Sequence, residues 1–423
     1  MFFIQLFLPF AAGFFLSYIY RTANAVIAPL IGQELGLGDG ALGFLTSAYF
    51  LIFGLAQLPV GILLDRYGPR RVESALLVVA AIGALMYGTA HDLLTLTLGR
   101  AVIGLGVSAC LMGPLKAFAM SCPKHHLASR TSWIMAAGGL GAIAAAVPLE
   151  YLLGSCGWRE VCIGGAVVTL FVAALVYFVV PESRPSDGVM HAKVSLNQQV
   201  REIRVIFQSP QFWRFAPICF LFAGGFQALQ GLWAGRWIAV QGGGDKMAVA
   251  AQLTSMNIAV LAGMMCMGAF ATRLIARGIK LENLYFRTML IACLALGFMV
   301  CWPLFGSVLL WPLLGLCFSL NNVAYTQFSQ SFPPAFAGRA NSAMNMLVLA
   351  GAFSLQWGLG ALVDLFRFCG ADLVSAYQCS FGLLVVSQLM AWSWFGLPRL
   401  SVSHQRRHVA RERLFMRQMP VPV

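Results

Sequence analysis

The sequence predicts an all-α integral membrane protein of twelve transmembrane helices. Three observations carry this: too few charged side chains for a water-facing shell, apolar runs of membrane-crossing length, and basic residues gathered between those runs. Of the 423 residues, 59% are hydrophobic and 10% charged, whereas soluble domains run at roughly 25% charged. A soluble fold is therefore excluded, and the lipid bilayer is the expected solvent. The formal net charge of +13 would suit a nucleic acid only if the basic residues clustered on one water-facing surface. They are dispersed between apolar runs instead, so no nucleic-acid partner is expected.

A helix rising ~1.5 Å per residue needs about 20 apolar residues to cross a ~30 Å hydrocarbon core. Runs of that kind occupy 3–32, 41–64, 73–90, 93–120, 130–154, 160–180, 212–241, 249–277, 284–304, 307–330, 339–363 and 374–397. Barrel strands need only ~10 alternating residues, so these uninterrupted runs are helices. The first run lacks a basic leader and a small-residue cleavage site, and is expected to be retained as span one.

Taken in order, span one carries Arg21 and Pro29, and span two leads into a basic turn at 61–71. Span four holds Arg100 and Lys116, and span five a Gly138-Gly139-Leu140-Gly141 run. After span six, residues 181–211 change character, with Pro181, Pro185, Pro210 and a concentration of charge. Leu196, Val200, Ile203 and Phe207 recur there at helical spacing, and Ser195 with Gln198 forms a capping-box pattern. A short amphipathic helix on the membrane surface is expected. The chain thus divides into a first six-helix bundle (1–180), a linker (181–211), a second six-helix bundle (212–398) and a basic tail (399–423) with Arg406, Arg407, Arg411, Arg413 and Arg417.

Basic residues set the orientation. With both termini cytoplasmic, 21 of the 28 Lys and Arg fall on the inside, four on the outside (Arg159, Arg236, Lys246, Arg367) and three within spans (Arg21, Arg100, Lys116). Both termini are therefore expected in the cytoplasm. Cys110, Cys219, Cys266, Cys293 and Cys317 sit inside apolar runs and read as small buried hydrophobes. With no Cys-x-x-Cys or Cys/His spacing, neither a metal nor a cofactor is expected.

The turn after span two reads Gly61-Ile-Leu-Leu-Asp65-Arg66-Tyr-Gly68-Pro-Arg70-Arg71. Gly61 is expected to let two helices approach closely, Gly68 to permit a tight turn, and Asp65 to need a cationic partner at the membrane boundary. This turn resembles the G-x-x-x-D-R-x-G-R-R signature of the major facilitator superfamily of transporters. Arg100-x-x-x-Gly104-x-Gly106 is similar to that family's motif in the fourth helix. Gly268 to Arg273, Arg277 and Gly278 form a degraded echo in the second half, without the acid.

The resemblance implies two six-helix bundles built from inverted repeats around a central cavity, with alternating access and symport or exchange. It places Gly61, Asp65, Arg66, Gly68, Arg70 and Arg71 in a cytoplasmic gate, Asp65 near the start of span eleven, with Arg273 and Arg277 as the counterpart. Arg100 and Gly104 become structural or coupling positions of the first bundle. A monomer in a bacterial inner membrane is implied. Around Arg21 the sequence is similar to the first helix of the anion–cation symporter branch, where the matching arginine contacts an anionic substrate. That arginine commonly follows an aspartate, and a glutamate often follows the fourth-helix motif; here Tyr20 and Val107 stand in those places. Proton symport is therefore not carried over.

An arginine at a helix centre costs ~2.5–3.5 kcal/mol, so Arg21 should face a water-filled cavity or a partner. No Asp, Glu or His falls in the middle of a run, and Glu150 lies near the outer end of span five. Lys116 could add a second positive charge. Asn24, Tyr49, Gln227, Gln230, Trp233, Asn322, Tyr325 and Asn345 are the candidate neutral groups of a substrate wall, with Gln227, Gln230 and Trp233 three apart on one helical face. An electropositive cavity without carboxylates points to a secondary active transporter of a small organic anion. The alternatives are a dipeptide or zwitterion carrier, a nitrate-like inorganic anion carrier, and a non-transporting sensor or receptor. An enzyme would need a nucleophile–base pair or metal ligands at membrane depth, which are missing.

Overall fold

The computed structural model describes residues 3–121, 124–182, 204–241, 245–302, 307–332 and 337–396. Helices make up nearly all of it, and there is no strand among the described residues. Ten helices are long and apolar enough to cross a membrane, and a bent pair, Ser129–Ala144 with Val147–Ser155, makes an eleventh. The remaining predicted span, the fourth, is interrupted: Leu93–Gly106 is followed by a turn and then Met112–Ser121.

The helix ends follow local chemistry. Asp92 caps span four by accepting from the Thr95 amide at 2.9 Å, and Ser209 caps span seven by accepting from the Phe212 amide at 3.1 Å. Span one begins with a π-helical turn, Phe3–Phe7, continues as Leu8–Thr22, and resumes as Asn24–Leu35 with Pro29 inside. Span two is Asp39–Tyr67, span three Pro69–Gly88 and span six Trp158–Val179. Gly68, between spans two and three, has φ +80°, which makes the tight turn possible for a residue without a Cβ. Span seven, within Pro210–Gln241, contains two π-helical turns, Cys219–Gly224 and Leu229–Trp233, which rotate its side chains out of simple helical register. Spans eight to twelve are Lys246–Ala276, Leu281–Cys301, Val308–Gln330, Ala337–Phe368 and Leu373–Gly396.

Small residues seat the helices. A Cβ on Gly104 of span four would lie 2.5 Å from the Tyr49 carbonyl of span two, and one on Gly43 of span two would lie 2.6 Å from the Gln356 carbonyl of span eleven. Where driving force comes from packing rather than water exclusion, such approaches hold the bundle together. Three expectations are corrected. Gly61 has open space where a Cβ would point, although Val60 and Leu64 beside it are buried, so it is not a close-approach site. Cys266 is exposed on the outer face of span eight, while Cys110, Cys219, Cys293 and Cys317 are buried. Span three starts four residues earlier than its apolar run, at Pro69, which brings Glu73 inside the helix. Most of the linker, 183–203, and the tail from 397 lie outside the described residues; the described end of the linker is helical over 204–208.

The two halves of the chain meet most tightly at the end bearing Asp39. There the Arg236 guanidinium of span seven lies 2.5 Å from the Asp39 carboxylate, and the Tyr377 hydroxyl of span twelve donates to the same carboxylate at 2.8 Å. The Gly40 amide donates to Asp364 of span eleven at 2.8 Å. At the opposite end Asp65 and Arg66 are exposed.

Candidate functional site

Arg21 sits in the last turn of Leu8–Thr22, where the helix is about to break at Ala23. It is part-buried, and its Nε is enclosed without a hydrogen-bond partner. Its guanidinium lies 4.8 Å from the Tyr18 ring centroid and 5.4 Å from that of Phe53, so the flat cation is held between aromatic faces. The Tyr49 hydroxyl, fully buried and without a hydrogen-bond partner, is beside it, and Tyr325 of span ten is within electrostatic reach from the second half. Among the described residues no carboxylate pairs with Arg21. Aromatic faces contribute ~1–2 kcal/mol to a desolvated cation, too little to replace hydration or a counter-ion. The arrangement is a fixed positive charge with unused donors, which an incoming anion can complete.

Behind Tyr49 lies a second buried guanidinium. Arg100 is 3% exposed and donates from Nη1 to the Tyr20 carbonyl at 2.8 Å. Its plane faces the Tyr49 ring at 5.0 Å and the Tyr87 ring at 5.9 Å, while Nε and Nη2 have no partner. It ties span four to span one while adding positive potential to the site.

The other candidate residues separate into two groups. Asn24 donates to Thr46 Oγ1 at 2.5 Å and accepts from the Tyr87 hydroxyl at 2.8 Å, so both ends of its amide join spans one, two and three. Gln230 donates to Asn257 at 2.7 Å, and Asn257 donates to the Ala142 carbonyl at 2.9 Å, a chain linking spans seven, eight and five. Trp233 donates to the Gln356 carbonyl at 3.0 Å. These three are occupied in holding helices together. Gln227 keeps an unpartnered Oε1, Asn345 is part-buried, and the Asn322 side chain lies outside the described residues. Lys116 turns away from Arg21 altogether: its Nζ is 2.5 Å from Asp65 Oδ1, at the end opposite Asp39.

Of the motif residues, Arg71 pairs with Glu182 beyond span six, Arg70 lies over the Tyr177 ring at 5.0 Å and Arg66 over Tyr67 at 5.2 Å. Arg273 and Arg277 are exposed at the end of span eight, where Gly278 turns the chain with φ +78°. Asp65 is met by a lysine of span four. This is the cationic partner that a carboxylate at the membrane boundary needs.

Sequence reasoning passed over two features. Asp39, Arg236 and Tyr377 are 197 and 338 positions apart in their pairings, which no local pattern joins. Glu73 escaped because it is the first residue of the run 73–90 and so read as a boundary position; it is fully buried and neither carboxyl oxygen has a partner.

A family model for the Major Facilitator Superfamily matches residues 10–355. The chain is 30% identical over 192 residues to the probable sulfoacetate transporter of Cupriavidus necator, covering 45% of this chain and 43% of that one. It is 29% identical over 161 residues to the probable L-galactonate transporter of Escherichia coli, covering 37% and 35%. A nitrate/nitrite transporter of Picosynechococcus is 34% identical over 101 residues, 24% of this chain and 19% of that one. The matches thus span less than half the length of these relatives. Among solved structures, a bacterial homologue of the human lysosomal transporter Spinster, inward-facing and unoccupied, aligns with TM-score 0.75 at 17% identity over 92% of this chain and 95% of that one. A D-xylose–proton symporter aligns with TM-score 0.68 at 16% identity over 93% and 98%.

Proposed function

The chain belongs to the Major Facilitator Superfamily, and from that premise we propose that it is a secondary carrier moving a small organic anion by alternating access. Arg21 carries the reading: a guanidinium without a carboxylate partner, flanked by Tyr18, Tyr49 and Phe53 of the first half and reached by Tyr325 of the second. A ligand bridging Arg21 and the second half would be gripped by both halves at once, as a site between two rocking bundles requires. The forked donor geometry of arginine favours a carboxylate or sulfonate. The relatives named for sulfoacetate and L-galactonate support that class.

The two units that rock are residues 1–180 and 212–398, joined by 181–211, in a membrane where the basic Asp65 end faces the cytoplasm. Joined at the Asp39 end, the molecule is in the inward-open state. A nitrate-like cargo is disfavoured, since span two carries no internal arginine and Arg273 is exposed at the end of span eight. A dipeptide would need an acid for its amino group beside Arg21, and none stands there among the described residues.

A thermal-shift panel on purified protein tests the class. Sugar acids and sulfoacetate should raise the apparent melting temperature increasingly with the logarithm of ligand concentration above the dissociation constant, with nitrate and dipeptides weaker. Stabilisation by nitrate or dipeptides with no response to organic acids would overturn the class assigned here.

A further inference from the structure

Glu73 takes no part in the site described above, and among the described residues it is the carboxylate whose buried oxygens have no hydrogen-bond partner. It lies in the second turn of span three, fully buried, with neither Oε1 nor Oε2 hydrogen-bonded. Its carboxyl occupies a notch made by two glycines: a Cβ on Gly13 of span one would lie 2.7 Å from Oε1, and a Cβ on Gly113 of span four would collide with Oε2. An ionised carboxylate left unpaired in such a place costs several kcal/mol, so the group must carry its proton here.

The groups around it can be named element by element. Span one offers nothing that titrates between Phe3 and Ser17. From span four come the buried Cys110 thiol and Lys116, three residues beyond Gly113 and so on the same helical face. On its own helix Arg70 is drawn to the Tyr177 ring of span six, and from span two Asp65 holds Lys116. Lys116 is thus committed to a different acid, Asp65, whose side chain is 80% exposed at the end of span two.

We propose that Glu73 is a proton-binding site through which transport is coupled to proton movement, with Lys116 exchanging between Asp65 and Glu73. This rests on the carrier reading above. In the state observed, Glu73 is protonated and Lys116 closes on Asp65. In the other, Lys116 leaves Asp65, the O–H bond of Glu73 breaks, the proton passes to water at the Asp65 end, and the new carboxylate is neutralised by the ammonium group. One positive charge leaves the protein per cycle of this switch. The turn that interrupts span four between Gly106 and Met112 lies just before Gly113 and Lys116, where a local rotation would deliver the lysine.

The test has two arms. Infrared spectra of purified protein at neutral pH should contain the C=O stretch of a buried protonated carboxylic acid that Glu73→Gln removes. Asp65→Asn, which frees Lys116, should diminish the same band. An identical spectrum in Glu73→Gln overturns the proton site, and an unchanged band in Asp65→Asn overturns the lysine exchange. In proteoliposomes with labelled sulfoacetate and L-galactonate, an acid-outside gradient should accelerate uptake by the wild type, and Glu73→Gln should lose that acceleration while still exchanging label. Retained acceleration in Glu73→Gln overturns the coupling. If the wild type moves neither anion, the substrate class fails and coupling with it, whereas the infrared band still decides whether Glu73 holds a proton.

Discussion

Arg236 of span seven places its guanidinium 2.5 Å from the carboxylate of Asp39 in span two, closing the two halves of the chain at one end. Asp39 is 7% exposed and Arg236 22%, so the pair is shielded on one side, and Tyr377 donates to the same oxygen. Removing one partner of a shielded pair leaves the other without compensation. Arg236→Gln should therefore shift the population toward opening at this end by about tenfold, or ~1.4 kcal/mol. Distances between spin labels attached at the Asp39 end of spans two and eleven report it. An unaltered distance distribution would show that the pair does not hold this end shut.

Glycine positions separate packing from resemblance. Gly104 has the Tyr49 carbonyl where a Cβ would go, so Gly104→Val should destabilise by ~1–3 kcal/mol through overpacking. Gly61, although part of the family signature, faces open space, and Gly61→Ala should change thermal stability little. Melting curves of the two variants in one detergent make the comparison. Equal losses would contradict the packing described.

Glu34, beyond the membrane end of span one, accepts from the Trp158 indole at 2.8 Å and from Arg159 at 2.7 Å. These hydrogen bonds, the indole first, hold its carboxyl below the ordinary glutamate range. A lowered folded value means the contribution is fully present above the ordinary value of about 4.3 and is lost as pH falls through the lowered one. Wild type should therefore melt above Glu34→Gln at neutral pH, and the gap should close on acidification. A gap that widens in acid would reverse the assignment. Its size is small, since the carboxylate is 41% exposed and screened by solvent.

Much of this architecture was legible in composition and spacing. Apolar runs of membrane length marked the ten spanning helices and the bent pair, and missed only that the fourth run is interrupted, because lipid permits only helices or closed barrels and leaves little freedom elsewhere. Arg21 stood out for the same reason, as a charge where charge is expensive. The partners were not legible. Asn24 and Gln230 look alike as candidate ligands and as helix-joining amides, and only the positions of Thr46, Tyr87 and Asn257 show them engaged. Lys116 illustrates the limit of one-dimensional depth: a lysine at the inner part of a run can turn to the cavity or to the boundary, and Asp65, 51 positions away, draws it to the boundary. Glu73 was hidden because it stood at the first position of the run 73–90, where a charge reads as a boundary residue, whereas the helix begins four residues earlier at Pro69 and carries Glu73 into its second turn.

Exchange of labelled sulfoacetate and L-galactonate by proteoliposomes carrying wild type, Arg21→Lys and Arg21→Ala is the most direct test of the anion site. Loss of a forked donor should weaken apparent affinity about tenfold in Arg21→Lys, and loss of the charge should abolish exchange in Arg21→Ala while the protein still inserts and melts cooperatively. Wild-type exchange by Arg21→Ala would contradict the account, since the anion would then be held elsewhere.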